Sequence, residues 1–303
     1  MVGTHVITDP TDHVVLRVPA CDVPAFTVDL LGHLNLLVPR FVEPRPWAYL
    51  GASLADRVRI QLCGTLAVEI DGERLEDELP GRQGRLLITY LIANRLRAIR
   101  RDELVDALWP DHPPAATEAA LSALLSKLRR LLPPGTLGGR GELRLVLPPD
   151  AYVDLEFARE AIHRAESALA QQRWHRAWGA SLGPLFTARR GFLPEEDADW
   201  VKEIRREIDS LYLRSLECYA HACLGVGGTE LAAAERAGRE LIARAPYREN
   251  GYRFLMQALA RTGNTAEALR VFEDLRTLLR EQLGILPSAE TLKLHLELVG
   301  GAA

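Results

Sequence analysis

The chain of 303 residues carries 37 Lys and Arg against 41 Asp and Glu, a formal net charge of −4 at pH 7. Hydrophobic residues make up 48% of the sequence and charged residues 26%, which is typical of globular protein and excludes long disordered tracts. The length exceeds what one hydrophobic core usually serves, so at least two domains are expected. The negative charge does not exclude nucleic-acid binding, because such a surface needs only a local excess of Lys and Arg.

Cysteine and histidine positions argue against a metal or disulfide scaffold. Cys21, Cys63, Cys218 and Cys223 form no C-x-x-C pair, and the histidines follow no metal-ligand spacing. We therefore expect no metal and no cofactor, and we expect the cysteines to be buried as small hydrophobic residues. The N-terminus lacks the basic and apolar regions of a signal peptide, and no apolar run could span a bilayer. These features predict a cytoplasmic protein that does not contact membrane.

Residues 1–55 are predicted to form a small α/β extension of unknown role. The valine-rich segment 13–18 predicts a strand, and residues 23–37 predict a short helix. Three prolines between residues 39 and 46 then mark a linker. A piece of this size is too small for a good core of its own, so we expect it to pack on the rest of the chain or on a second copy.

Residues 56–150 are predicted to form a second unit that begins with a small sheet. Segments 58–62 and 66–70 alternate apolar with polar residues, as strands do when one face is buried. Asp71-Gly72 follows directly and is a strong hairpin-turn signal.

Three helices and a hairpin complete this unit. Amphipathic patterns predict helices over residues 83–96, 102–109 and 117–132. A further strand over residues 142–147 follows the glycine-rich segment 138–141, which suits a hairpin tip. A small sheet, three helices and a terminal hairpin make up a winged helix, in which one helix enters the DNA major groove.

Residues 151–303 are predicted to be entirely helical. Gly228-Thr229-Glu230 and Gly263-Asn264-Thr265 each open a helix rich in Ala and Leu. Their separation of about 35 residues is close to the period of tetratricopeptide repeats, whose helix pairs stack and offer a groove for partners. The large aromatic residues of this region are expected in its core: Trp174, Trp178 and Trp200.

No catalytic arrangement is predicted. Gly179-Ala180-Ser181-Leu182-Gly183 matches the Gly-x-Ser-x-Gly pattern of hydrolases, but that motif needs a strand before it. Because Pro184 follows at once, we expect this segment to be a loop between helices. The acidic run Glu195-Glu196-Asp197 precedes a predicted helix start, where the helix dipole favours negative charge. The protein is therefore predicted not to be an enzyme.

Several short runs occur in a distinctive order and spacing. In the first half they are Pro80-Gly81-Arg82-Gln83, Asp102-Glu103-Leu104-Val105-Asp106-Ala107-Leu108-Trp109, Asp111-His112-Pro113-Pro114 and Ser126-Lys127-Leu128-Arg129-Arg130. In the second half they are Gly191-Phe192-Leu193-Pro194, Asp199-Trp200-Val201, Pro246-Tyr247-Arg248-Glu249, Gly263-Asn264-Thr265-Ala266-Glu267-Ala268-Leu269 and Leu283-Gly284-Ile285-Leu286-Pro287-Ser288. Together, over residues 58–298, they resemble the Streptomyces antibiotic regulatory protein family, with its OmpR-type winged helix and bacterial transcriptional activator domain.

The resemblance implies a mainly α fold, with a winged helix followed by a tetratricopeptide-like helical domain after the N-terminal extension. It implies that residues 117–132 form the recognition helix and that residues 142–147 lie in the wing. It also implies binding to double-stranded promoter DNA as a homodimer or side-by-side dimer, and activation through contact with RNA polymerase.

The helix predicted over residues 117–132 separates into two faces on a helical wheel. Leucines form the core face: Leu121, Leu124, Leu125, Leu128, Leu131 and Leu132. The outward face is small: Ala119, Ser122, Ala123 and Ser126. Members of the family usually place longer polar residues there, and bidentate reading of guanine or adenine needs such side chains. The outward N-terminal half also carries Glu118, which repels phosphate.

The candidate DNA-binding residues are mostly cationic. They are Arg82, Arg101, Thr117, Ser122, Ser126, Lys127, Arg129, Arg130, Arg140 and Arg144. Contacts from Arg and Lys to phosphate supply affinity without reading sequence. We therefore expect modest direct readout, supplemented by DNA shape.

Two functions stay open from the sequence. The first is a DNA-binding activator of transcription. The second is a protein-interaction module with a degenerate winged helix. Its small outward face would be covered by protein, for example by residues 1–55, because small residues permit close packing.

Overall fold

A computed structural model describes residues 4–8, 14–19 and 58–301 of the chain. Strands β1 (Thr4–Thr8) and β2 (Val14–Pro19) pair antiparallel, which confirms the strand predicted over residues 13–18. The helix predicted over residues 23–37 lies outside the described residues, as does Cys21.

The sheet of the first unit forms around strand β3 (Val58–Gln61), which is buried along its whole length. It pairs antiparallel with β4 (Ala67–Ile70), which in turn pairs with β5 (Glu73–Arg74). Asp71 and Gly72 between them adopt φ values of 50° and 88°, as the predicted turn requires. On its other side β3 pairs in parallel with a strand that the sequence did not predict, β9 (Tyr152–Val153).

Three helices and a hairpin follow, as predicted, and the hairpin gains a third strand that the sequence did not predict. Helices α1 (Gly81–Ala93), α2 (Arg101–Leu108) and α3 (Thr117–Leu131) pack over the first sheet. Strand β8 (Glu142–Leu145) lies between β7 (Leu137–Gly138) and β6 (Ile99–Arg100). Helix α1 ends three residues before the predicted end, and β6 was not predicted, because two residues are too few to show strand alternation.

The rest of the chain is helical, as predicted, from residue 154 onwards. The helices are α4 (Asp154–Ala170), α5 (Trp174–Arg189), α6 (Asp199–Val226), α7 (Leu231–Arg244), α8 (Glu249–Arg261), α9 (Thr265–Leu283) and α10 (Ala289–Gly300). Each of them packs on its sequence neighbour. Across the described ranges, no helix combines the length and apolarity needed to cross a membrane.

The expectation of a loop at Gly179–Gly183 is wrong, because the segment lies inside α5. Ser181 is fully buried, and its hydroxyl donates to the carbonyl of Trp178 at 2.8 Å. A Cβ on Gly183 would lie 2.8 Å from the ring of Phe157, so this glycine serves the close packing of α5 on α4. Tertiary packing of its buried face keeps α5 helical through Pro184, which local propensity disfavours.

The cysteine expectation is confirmed where the chain is described. Cys63, Cys218 and Cys223 are free and buried. Burial raises the pKa of the Cys63 thiol, and it raises those of Cys218 and Cys223 to about 12. These thiols therefore pack as apolar groups.

The two predicted units share one core. A single cluster of buried side chains runs from Val58 in β3 to Ala258 in α8. Trp200 of α6 joins the units directly, since its indole Nε1 donates to the carbonyl of Ala107 at 3.1 Å. Its ring also meets that of Tyr90 edge-on at 5.0 Å. The tryptophan expected in the helical core thus packs against the first unit.

A buried carboxylate fixes the same junction. Asp154, at the start of α4, is fully buried and accepts hydrogen bonds from the backbone N–H groups of Leu62 at 2.8 Å and Cys63 at 3.0 Å. Arg190, which follows α5, bonds both to this carboxylate at 3.3 Å and to the side chain of Gln61. One side chain therefore connects the end of β3, the start of α4 and the end of α5.

We expect Asp154→Ala to lower the free energy of unfolding by about 3 kcal/mol, because it leaves buried N–H donors and Arg190 without their acceptor. Urea denaturation followed by circular dichroism measures the change. Asp150→Ala, at an exposed position four residues away, is the control and should change stability by less than about 0.5 kcal/mol. Equal stability of the two variants would contradict the role given to Asp154.

Candidate nucleic-acid interface

Helix α3 has the two faces that the sequence predicts. Leu121, Leu125 and Leu128 are at most 1% exposed, while Leu124 and Leu131 are half-buried against the core. The small outward residues are exposed: Ala119, Ser122, Ala123 and Ser126. This face is therefore accessible along the length of α3.

The N-terminal half of α3 is electrostatically neutralised. Thr117 begins the helix, and its hydroxyl donates to the carbonyl of Pro114 at 2.6 Å. Arg101 of α2 lies across the outward face, donating to a carboxylate oxygen of Glu118 at 2.8 Å and to the hydroxyl of Ser122 at 2.9 Å. Arg101 therefore offsets the acidic charge that the sequence places on this face.

The C-terminal half of α3 holds the hairpin formed by β7 and β8. The guanidinium of Arg129 donates to the carbonyl of Leu137 at 3.3 Å and to that of Gly139 at 2.6 Å. Gly139 has a φ of 87°, and a Cβ there would lie 1.8 Å from the carbonyl oxygen of Glu142, so the tip requires glycine. Arg129 therefore positions the hairpin instead of projecting freely toward a ligand.

Besides Arg59 and Arg74 of the first sheet, five arginines of this unit form ion pairs, and each pair reduces the local field. The pairs are Arg82–Glu196, Arg95–Glu156, Arg97–Glu103, Arg100–Asp102 and Arg101–Glu118. Arg82, a candidate DNA-binding residue, thus lies at the junction with the helical region, where its Nε donates to Glu196 at 2.8 Å. Sequence reasoning assigned Glu196 to a helix-dipole role and missed this partner 114 positions away.

The remaining candidate cations concentrate at one end of α3. Lys127, Arg130, Arg140 and Arg144 are exposed and form no ion pair within the part of the chain that the structure describes. Lys127 and Arg130 are neighbours on the helix, whereas Arg140 and Arg144 lie at the tip and on the exposed face of the hairpin. We call these four residues the wing patch. Only the exposed carboxylate of Glu142 opposes them on that face of β8.

A groove of about 550 Å³ runs beside α3. Its walls include Gly81 at the start of α1, Trp109 after α2, and Ala120 and Ala123 on α3. The alanines leave this space open, so a groove borders the exposed face of α3 on the side of α1 and α2.

Two of the sequence runs noted above meet in space far from α3. The carboxylate of Glu249 accepts from the backbone N–H of Ser288 at 3.0 Å and from its hydroxyl at 2.7 Å. Thr291 donates to the same carboxylate at 2.5 Å. Gly284, which ends α9 with a φ of 68°, turns the chain toward this contact. These runs therefore maintain the fold.

Comparison with known proteins agrees with this architecture. Residues 153–299 match the bacterial transcriptional activator domain. The chain is 32% identical over 256 residues to the regulatory protein AfsR of Streptomyces griseus, which covers 80% of this chain and 24% of AfsR. It is 28% identical over 251 residues to the transcriptional regulatory protein EmbR of Mycobacterium tuberculosis, covering 78% and 62% of the two chains.

A solved structure of Mycobacterium tuberculosis EmbR, in complex with a low affinity phosphopeptide, is similar with a TM-score of 0.71 and 25% sequence identity. The similarity covers 81% of this chain and 65% of that chain. The fold is thus similar to that of EmbR, and it includes a bacterial transcriptional activator domain. The activator-domain match and the similarity to AfsR and EmbR support the resemblance to the Streptomyces antibiotic regulatory protein family. The chain spans about a quarter of AfsR and less than two thirds of EmbR.

We expect Arg129→Ala to speed amide hydrogen exchange across residues 137–145 by about ten-fold, because charge-assisted bonds to Leu137 and Gly139 are lost. Hydrogen exchange read by mass spectrometry measures this effect on protein without DNA. Arg130→Ala is the matched control and should leave exchange in the hairpin unchanged. Equal exchange in both variants would show that Arg129 does not hold the hairpin.

Proposed function

We propose that the protein activates transcription by binding double-stranded promoter DNA through α3 and the β7–β8 hairpin. The observation that carries the proposal is the wing patch, whose four exposed cations lie at one end of an exposed helix. A helix inserted in the major groove with a hairpin beside it brings such cations to the phosphates. The named regulators among its relatives support the same function.

Phosphate contacts dominate this proposed complex. The outward residues of α3 offer hydroxyl groups at Ser122 and Ser126 and methyl groups at Ala119 and Ala123. A methyl group can contact thymine, and a hydroxyl can serve several base edges, but neither makes a bidentate pair. Sequence preference then depends in part on the shape and deformability of the DNA.

Activation is proposed to involve two copies of the protein and RNA polymerase. The family resemblance implies side-by-side binding to direct repeats, and helical repeats of this kind provide surfaces for protein partners. Regulation, not catalysis, is also the role given in the names of the matched relatives.

We expect the triple variant Arg130→Ala, Arg140→Ala, Arg144→Ala to bind DNA more weakly and with a shallower salt dependence. Each lost phosphate contact reduces the slope of log K against log salt by about 0.9, so three lost contacts reduce it by roughly 2.7. Fluorescence anisotropy of labelled promoter duplex, titrated across salt concentrations, measures both quantities.

A matched triple variant removes the same charge from the helical region: Arg176→Ala, Arg270→Ala, Lys293→Ala. Its salt slope should equal that of the unchanged protein. If the two triple variants behave alike, the wing patch does not contact DNA and the proposal is wrong.

A second candidate function is that of a protein-interaction module. The groove beside α3 motivates it, because the alanines that line the groove suit close packing by protein. In that case the first 55 residues cover the face and DNA binding is suppressed. The full chain and a chain beginning at Asp56 should bind DNA with equal affinity if the face is open. An affinity that rises on truncation would instead identify the N-terminal segment as an inhibitor.

A further inference from the structure

We propose that the helical repeats contain a binding pocket for one small amphipathic anion, with a carboxylate or phosphate head and an apolar body. The pocket has a volume of about 400 Å³ and lies between the end of α5, the middle of α6 and α7. That volume is within the range of small-molecule sites. The inference does not depend on DNA binding.

The floor of the pocket is apolar and left open by small residues. Leu185 and Leu216 line it together with Ala233 and Ala237 of α7, and all four are at least nine-tenths buried. Because the α7 side chains stop at Cβ, space remains where a leucine would close it. An apolar body of several carbon atoms fits this part of the pocket.

The rim of the pocket is cationic. Arg189, Arg236 and Arg239 contribute guanidinium groups, against one lining carboxylate, Glu240. That carboxylate accepts from the Tyr212 hydroxyl at 2.5 Å. Arg239 is already bonded to Glu235 and Glu267. A guanidinium has five N–H donors, so an arginine with a protein partner can still hold a carboxylate or phosphate.

Tyr219 of α6 completes the apolar wall of the pocket. Its side chain lines the pocket and is 2% exposed. Within the described chain its hydroxyl makes no hydrogen bond of proper geometry, and the neighbouring thiol of Cys223 is a weak partner. The hydroxyl is enclosed by protein, so Tyr219 offers its ring, and not its hydroxyl, to the pocket.

Calorimetric titration of the full chain with three probes tests the pocket. Octanoate carries both the head and the body, octanol lacks the charge, and inorganic phosphate lacks the body. We expect one octanoate per chain, bound about ten-fold more tightly than either other probe, which is the effect of one charge-assisted contact. Absence of octanoate binding, or equal affinity for all three probes, would overturn the proposal.

Variants locate the binding. Arg189→Gln and Arg236→Gln should each weaken octanoate about ten-fold and leave octanol unchanged, whereas Arg176→Gln, at the other end of α5, should change neither. Ala237→Leu should abolish binding of both probes by filling the floor, with circular dichroism confirming the fold. Should that variant not fold, the arginine variants decide alone. Octanoate binding that survives both arginine changes would place it elsewhere and refute the site.

Discussion

The buried carboxylate of Asp154 is the contact on which the arrangement of the two units depends. It accepts hydrogen bonds from the backbone N–H groups of Leu62 and Cys63, which follow β3, and from the N–H of Leu155 in its own helix. Burial raises the pKa of Asp154, while these donors and Arg190 oppose that shift by favouring the ionised form. Strand β9, which immediately precedes Asp154, pairs with β3. This pairing fixes the place beside the sheet at which helix α4 begins. Trp200 and the Arg82–Glu196 pair then hold α6 against α1 and α2. The first unit is thus supported by the helical region along a broad face.

This support explains what the sequence could and could not predict about the fold. Elements with a local signal were predicted, including the Asp71-Gly72 turn and the leucine face of α3. Strands β6 and β9 were missed because each has two residues, and only pairing with β8 or β3 defines them. Helix α5 was misjudged at Gly179–Gly183 because glycine and proline disfavour helix locally. The contact of Gly183 with Phe157, which outweighs that preference, involves a residue on another helix.

The candidate site shows the same division between local and long-range information. Residue type and helical spacing were sufficient to predict that the small side chains of α3 face outward. They did not reveal which cations were already engaged, because Glu196 is far from Arg82 in sequence and Arg129 binds backbone oxygens that any residue supplies. The sequence also could not predict the contacts made by the short runs that resemble the regulator family. Trp200 packs between the units and Ser288 binds Glu249, so these signatures preserve the architecture that carries the site.

Charge pairing also shows how an acidic chain can present a local cationic surface. An arginine within a few ångströms of a carboxylate contributes little field at a distance, since the two charges form a dipole. The paired arginines of the first unit therefore matter less than their number suggests, and the wing patch dominates its local field. At physiological salt that field extends only about 8 Å, so distant acids of the helical region do not cancel it. Arg129 fixes the hairpin against α3. It therefore positions Arg140 and Arg144 relative to Arg130 before any ligand binds. A patch organised in this way loses less conformational entropy on binding than four independent side chains on mobile loops.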